Sequence, residues 1–520
     1  MKLLLVNPRF PESFWSFSWA FERIAGTKTA LTTPLGLATV AALCPPNWDL
    51  TIMDENIEPI DWDHEADIVG VCGMAVQFQR QKEILNGFRR KGRYVVAGGA
   101  YASLCPEEYF GSADTVISGE AEYIWPQFCS DFEKGTPGKL YRQTGEVDLK
   151  HSPLPRFDLI KTDRYFNVGL QFSRGCPFLC EFCDIIVMFG RKPRTKSLDQ
   201  IEQELDSLRS LGISNLFFVD DNFIGHLPQC KKLLGFLSEY QKKHNYRFIL
   251  GTEASINMAT DRNLLKLMRH ANFEWVFIGI ESPSREALLE TKKTQNTRDD
   301  LLTSLRTIYS FGLDIYAGFI VGFDADDKTI FDRQYRFIVE SGIILSAVGL
   351  LTAIPKTPLF ERLQKANRLK STSEFQTIRN NFAATNLIPL RMTYDEMIEG
   401  FCNLQARLSE EKAIYQRLFN KFRFLRNAPI PYHLSRKEIF ALRFLVYGLL
   451  PGGPKRWYYF VRSLFAAWNN SIKLPVVMFN WTYALSFRQF LLKEILPKKG
   501  ASSGVLARKA PLGDPVFPEV

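Results

Sequence analysis

The chain has 520 residues, 46% of them hydrophobic and 23% charged, with a formal net charge of +9. This is enough for roughly two to four domains with true cores, and it excludes a disordered or low-complexity protein. No run reaches the ~18 uninterrupted apolar residues of a membrane span, and the opening apolar run is too short for a secretory leader, so a cytoplasmic protein is expected.

Residues 1–140 alternate strands and helices. Short runs rich in Val and Ile at 2–7, 49–54, 68–73, 94–98 and 114–118 read as strands, with helices between several of them, such as 79–91. That order implies a parallel, doubly wound sheet. Ligands of such sheets sit beyond the carboxyl ends of the strands. The sequence places Asn7, Gly73-Met74, Gly98-Gly99 and Gly119-Glu120 there. Glycine lets a large ligand approach the backbone, but turns demand glycine too, and the pattern alone leaves both readings open. Residues 141–166 read as a linker, because Pro153 and Pro155 favour extended chain.

Residues 167–370 alternate again, with strands expected at 169–173, 215–219, 247–251, 275–279, 315–321 and 344–351. Six βα-type units suggest a partial barrel of TIM type, whose active site lies at the carboxyl ends of the strands. Asp220-Asp221-Asn222, Thr252-Glu253, Glu281-Ser282 and Gly322-Phe323 fall at those ends. Each alone is an ordinary cap or turn; several converging on one rim describe a site.

Beyond 371 the strand signal stops. Helices are expected at 394–411, 435–450, 456–468 and 479–496, dense in aromatic residues, Lys and Arg. From 412 to 500 there are 16 Lys and Arg against two acids, Glu438 and Glu494, so this stretch carries +14 and the rest of the chain −5. A mildly acidic main body makes a poor nucleic-acid surface. The basic, aromatic helices either lie peripherally on an anionic membrane, on its inner face, or grip an apolar substrate, or else simply cap the barrel. A tail at 501–520, rich in Gly, Ser, Ala and Pro, is expected to be disordered.

The most specific feature is Cys176-Pro-Phe-Leu-Cys180-Glu-Phe-Cys183. Three thiolates from one short loop can hold three irons of a [4Fe–4S] cluster and leave the fourth iron open to a small molecule. A structural zinc site closes with four ligands, whereas this loop has one C-x2-C pair and no His nearby. Disulfides do not suit a cytosolic chain.

With Phe182 just before its last cysteine, this spacing resembles the radical S-adenosylmethionine (SAM) signature. Thr33-Pro34-Leu35-Gly36, Gly73-Met74 and Gly98-Gly99 look like the cobalamin-binding domain fused to many such enzymes. Gln171-Phe-Ser-Arg-Gly-Cys-Pro, Cys183-Asp-Ile-Ile-Val, Gly190-Arg-Lys-Pro-Arg-Thr and Val219-Asp-Asp-Asn-Phe-Ile-Gly are similar to the subgroup that includes the hopanoid C-2 methylases. The architecture so implied is α/β. A Rossmann-like cobalamin-binding domain spans 1–140, a linker 141–166, a partial (β/α)6 TIM-type barrel 167–370 and a helical region 371–500.

The resemblance also implies the cofactors and the reaction. The cofactors are a [4Fe–4S] cluster, SAM and cobalamin, supplied by an external electron donor. A 5′-deoxyadenosyl radical and methylcobalamin would methylate an unactivated carbon of a small apolar, lipid-like substrate. Rearrangement or oxidative cyclisation without methyl transfer is the alternative, and a non-catalytic sensor is a third reading. Cys176, Cys180 and Cys183 would hold the cluster, and Phe182 would flank the adenine. Asp220, Asp221 and Asn222 would contact the methionine part of SAM and Glu253 its ribose, with Glu281 and Gly322 in the same wall. Asn7, Gly36, Gly73, Met74, Gly98, Gly99 and Gly119 would line the cobalamin. None of the six His residues fits the D-x-H-x-x-G lower-ligand motif, so binding without a histidine ligand is expected. This reading leaves the directly catalytic residues unassigned.

Overall fold

The structure is a computed structural model, and it describes all residues except 14, 27, 371–382, 427–436, 471, 473 and 496–520. The expected tail at 501–520 lies outside the described residues.

The strands before residue 150 are β1 (Lys2–Asn7), β2 (Ala30–Thr32), β3 (Asp49–Asp54), β4 (Ile68–Cys72), β5 (Tyr94–Gly98), β6 (Thr115–Ser118) and β7 (Leu140–Arg142). All but β2 form a wholly parallel sheet in the order β3-β1-β4-β5-β6-β7. In β1, Leu4 and Val6 enter one apolar cluster while Leu3 and Leu5 enter another, as in a sheet covered on both faces. The strand order reverses between β1 and β4, so Asn7 and Gly73-Met74 flank the crevice where such sheets take ligands. Leu140–Arg142, at the start of the expected linker, adds the edge strand by pairing with β6.

The later strands are β8 (Tyr165–Leu170), β9 (Ser173–Arg174), β10 (Arg194–Thr195), β11 (Asn215–Phe218), β12 (Ile249–Ala254), β13 (Phe273–Glu281), β14 (Asp314–Val321) and β15 (Ser346–Leu350). A second parallel sheet runs β15-β14-β13-β12-β11-β8-β2 and curls into an open half-barrel. Its seventh strand, β2, comes from the N-terminal stretch, so the two sheets share chain across the expected boundary. Strand β8 starts at Tyr165 rather than 169, because Tyr165 buries its ring against the first sheet and donates to Asp54 Oδ2 at 2.7 Å.

Strands β13 and β14 alternate cleanly. Val276, Ile278, Ile315, Ala317 and Phe319 are buried under the outer helices, while Trp275, Phe277, Tyr316 and Ile320 are half-buried on the other face. On that face Phe217 stacks on Trp275 at 5.2 Å and Trp275 meets Tyr316 at 5.2 Å. Gly251 makes room for this, since a Cβ there would strike the Trp275 ring at 2.0 Å.

C-terminal to the barrel, helices span Tyr394–Leu408, Glu411–Phe424, Lys437–Arg443, Gly453–Asn469 and Leu474–Phe490. Thr393 opens the first with a capping box to Glu396, and the helix stops at Leu408 instead of running on to 411. The Glu411–Phe424 helix was not anticipated. It docks through charge: buried Lys421 reaches Asp314 Oδ1 at 2.6 Å and Asn480 Oδ1 at 2.8 Å. Buried Arg417 donates to the carbonyl of Ile344 at 3.0 Å. Part of the basic content therefore fastens these helices to the barrel. No helix among the described residues is long and apolar enough to cross a membrane.

Candidate functional site

The cysteine loop follows β8 and β9 at the carboxyl end of the half-barrel. Gly175, at φ 92°, turns the chain into it, and a Cβ there would press on the carbonyls of Lys192, Gly190 and Phe189 at 3.1–3.3 Å. Asp220 is fully buried and shapes the entry: its carboxylate accepts from the amides of Phe172 and Ser173 at 2.8 and 2.7 Å. Asp221 accepts from the Gly175 amide at 2.8 Å. Asn222 directs its amide at Cys176 Sγ, 3.9 Å away. The Asp-Asp-Asn run is therefore engaged with the loop that carries the thiols. Burial raises Asp220 to about 7 and Asp221 to about 6.

A second segment, which sequence reasoning missed, embraces the loop from the other side. The Glu181 amide donates to the Thr291 carbonyl at 2.9 Å. Gln295 donates its side-chain amide to Cys180 Sγ at 3.5 Å, and its own buried oxygen has no partner among the described residues. The Lys293 ammonium lies 5.8 Å from the Phe182 ring and 2.6 Å from Glu281 Oε1. Burial disfavours that ammonium, but Glu281 and the thiols of Cys180 and Cys183 outweigh it and hold Lys293 above the ordinary lysine range. Glu281 closes β13 at φ 65° beside a register shift, a strained setting for a residue other than glycine.

Glu253 stands apart from these pairs. Its carboxylate has no hydrogen bond or ion pair among the described residues, and burial, then Asp221 and Asp220, lift it to about 7. Gly322, at φ 105°, donates its amide to Asp326 at 2.9 Å, and a Cβ would meet Met397 Sδ at 2.9 Å. It shapes a turn against the Tyr394–Leu408 helix and has no contact with the thiols among those described. Phe182 packs on Phe323 at 6.2 Å. Burial raises the Cys176 thiol and pushes Cys183 up to about 12. No three His, Cys, Asp or Glu among the described residues converge as a single-ion site requires. A cubane instead spreads its thiolates over separate irons, so this donor set suits a cluster.

The loop touches the first sheet directly. Arg174 bridges Glu120 at 2.8 Å and Glu122 at 2.7 Å, and Arg194 bridges Glu120 at 2.9 Å, all nearly buried. Met188, just past the cysteines, packs on the first sheet's core. Both arginines lie in the strings quoted for the resemblance, but their partners are distant in sequence.

At that sheet's edge the glycines divide into two kinds. Gly99 has φ 96° and ψ −176°, and a Cβ would collide with Gly73 N at 2.6 Å. A Cβ on Gly73 would strike Gln81 at 2.4 Å, and one on Gly119 would meet Gln143 at 2.6 Å. Those three serve the protein's own packing. Gln81, absent from the sequence reading, organises this edge by donating to the carbonyls of Val71 and Gly98 at 2.7 and 3.0 Å. Gly98 is open, with the nearest atom to a Cβ 3.9 Å away; Gly36 lies off this edge, in the helix Leu35–Ala42 that follows β2, and no atom comes within 4 Å of a Cβ there. Met74 is 53% exposed, and Asn7 accepts from Gln77 at 3.3 Å. This edge leaves space that a bulky cofactor could fill. His64 sits with Lys2 and Asp49 at the opposite, amino-terminal edge. A cavity of about 830 Å³ lies away from the thiols, at the amino ends of β8 and β11.

The radical SAM superfamily profile matches residues 170–332, and a domain of unknown function (DUF4070) matches residues 357–495. An uncharacterized methyltransferase of Synechocystis sp. is 40% identical, over 78% of this chain and 76% of that one. The hopanoid C-2 methylase of Rhodopseudomonas palustris is 32% identical, over 80% of this chain and 78% of that one. The chain belongs to the radical SAM superfamily, in the subgroup that includes the hopanoid C-2 methylases. It is a radical SAM enzyme, and the cofactors of that family are SAM and a [4Fe–4S] cluster. The cobalamin-dependent radical SAM enzyme OxsB, with aqua-cobalamin and SAM bound, superposes with a TM-score of 0.60 at 17% identity, covering 96% of this chain and 81% of that one. The radical SAM methyltransferase TsrM from Kitasatospora setae gives 0.57 at 17% identity, covering 72% and 78%. These two establish a shared fold.

Proposed function

We propose that the protein is a cobalamin-dependent radical SAM C-methyltransferase acting on an apolar, hopanoid-like carbon skeleton, with peripheral membrane contact through its C-terminal region. The observation that carries this is the position of the thiol loop. Lys293 and Glu281 stand on one side of it, Glu253 lies near Asp220 and Asp221, and Arg174 ties it through Glu120 and Glu122 to the domain whose sheet edge is open at Gly98.

Cys176, Cys180 and Cys183 would hold the cluster. Bound there, the cluster would supply the electron for SAM cleavage. Gln295 and Asn222 would donate to the sulfurs, and such bonds steady thiolate charge in a buried loop. Glu253, raised to about 7, would bond ribose hydroxyls in either protonation state. Phe182 would flank the adenine, while Glu281, fixed by Lys293, would close the wall. Asp220 and Asp221 position the loop. Asn7, Gly36, Met74 and Gly98 would face the cobalamin, which supplies the methyl group, while Gly73, Gly99 and Gly119 let that edge form.

The test uses reconstituted protein with cobalamin, a chemical reductant, a hopanoid and methyl-labelled SAM. Label in the extracted lipid is expected. Cleavage of SAM with no label in any lipid overturns the reading and favours rearrangement or cyclisation. The cob(II)alamin spectrum should lack coupling to a histidine nitrogen, and such coupling would contradict the proposed ligation.

A further inference from the structure

The helices at Lys437–Arg443 and Gly453–Asn469, joined by the π-helical turn Phe444–Leu449, pack by their inner faces. Phe444 meets Phe460 at 5.5 Å, and Phe460 meets Trp481 at 6.0 Å. The outer faces are also apolar. Leu442, Leu445, Val446 and Leu450 are spaced for one side of a helix and are exposed, Leu442 by 60%. Tyr458, Val461, Phe465 and Trp468 make a second such stripe, with Phe465 exposed by 66% and Trp468 by 83%. Ordinary amphipathic helices turn their apolar stripe inward. These turn one apolar face inward and show another to solvent, and large exposed apolar patches mark interaction surfaces.

We propose that this double outer face docks the protein on an anionic lipid bilayer. Charge selects the occupant. Exposed Lys455 and Arg462 border the stripe, and the Gly453–Asn469 helix that carries them contains no acid. A second copy of the chain would set like charge against like, whereas anionic headgroups neutralise it. Tyr458 and Trp468 have apolar bodies with polar tips, which suits the headgroup boundary. The stripes are too short to span, so the helices lie in the interface plane. The purpose of docking, though not its evidence, rests on the lipid-like substrate proposed above: an apolar substrate would then reach the enzyme without crossing water.

The experiment is co-sedimentation of the full-length protein with phosphatidylcholine vesicles, with or without phosphatidylglycerol, over a salt series. Binding is expected only with phosphatidylglycerol, weakening as salt screens it. The double variant Phe465→Glu, Trp468→Glu should lose binding at least about tenfold, with unchanged thermal unfolding because both side chains are exposed. Lys455→Glu, a milder change, should weaken binding less. The inference is overturned by equal binding of the double variant. It is also overturned if the wild type does not bind because a second copy, seen by light scattering, or the chain's own tail covers the face. Methyl transfer to detergent-dispersed substrate separates the two proposals: it fails if the functional reading is wrong and persists if only the docking is wrong.

Discussion

The rim of the half-barrel and the edge of the first sheet carry equivalent positions, strand ends facing a crevice, yet they are built differently. On the rim the notable side chains hold one another: Asp220 and Asp221 grip the loop, Lys293 pairs with Glu281, and Glu253 has no partner among the described residues. At the sheet edge most of the notable glycines exist so that backbones can touch, with Gly99 against Gly73 and Gly119 against Gln143. A polar residue at a strand end thus points to chemistry once its partners are known. A glycine there points to a ligand only where, as at Gly98, the protein itself does not need the space.

The sharpest way to break this contrast is at the rim. Cys180→Ala should reduce bound iron and sulfide to background and abolish SAM cleavage while leaving the fold intact. A variant that retains a full cluster would remove Cys180 from the site. At the junction of the two regions, Arg174→Met strands Glu122, which is 2% exposed at the side chain, while Glu120 keeps Arg194. Breaking such a buried pair should cost about 3–5 kcal/mol in denaturant unfolding.

A paired substitution tests the glycine argument. Gly99→Ala should destabilise by about 1–3 kcal/mol from backbone conformation alone. Gly98→Ala should change stability by less than about 0.5 kcal/mol and still weaken cobalamin retention during gel filtration. Equal effects of the two on stability would erase the distinction between them.

The smallest effect concerns protons. Glu253 and Asp220 both have folded pKa values raised to about 7, mainly by burial. A carboxyl raised on folding binds its proton more tightly in the folded state. In the cluster-free protein the contribution of these two groups to stability should therefore be greatest below the ordinary carboxylate range and be lost as pH rises from there through about 7. Thermal unfolding from pH 5 to 8 reads this, and Glu253→Gln should flatten the decline.

The parts of the site legible in the sequence were those with rigid chemical spacing. Cys176, Cys180 and Cys183 must share one loop, and the six barrel strands repeat a βα rhythm that places Asp220, Glu253 and Glu281 at their ends. Lys293, Gln295 and Gln81 escaped notice because a single Lys or Gln has no pattern of its own and gains meaning only from what folding brings near. Strand β2, just Ala-Leu-Thr, is too short to show alternation and is ordered by pairing with β8. The roles expected of Gly73, Gly99 and Gly119 changed for a similar reason: their crowding comes from chain segments distant in sequence.

The central claim is that one molecule joins a radical-generating rim to a methyl-delivering sheet edge. The direct test is a count of SAM products from reconstituted protein loaded with cobalamin, reductant and an apolar substrate. S-adenosylhomocysteine and 5′-deoxyadenosine formed together, in equal amounts, are the expected result. 5′-Deoxyadenosine without S-adenosylhomocysteine would contradict methyl transfer.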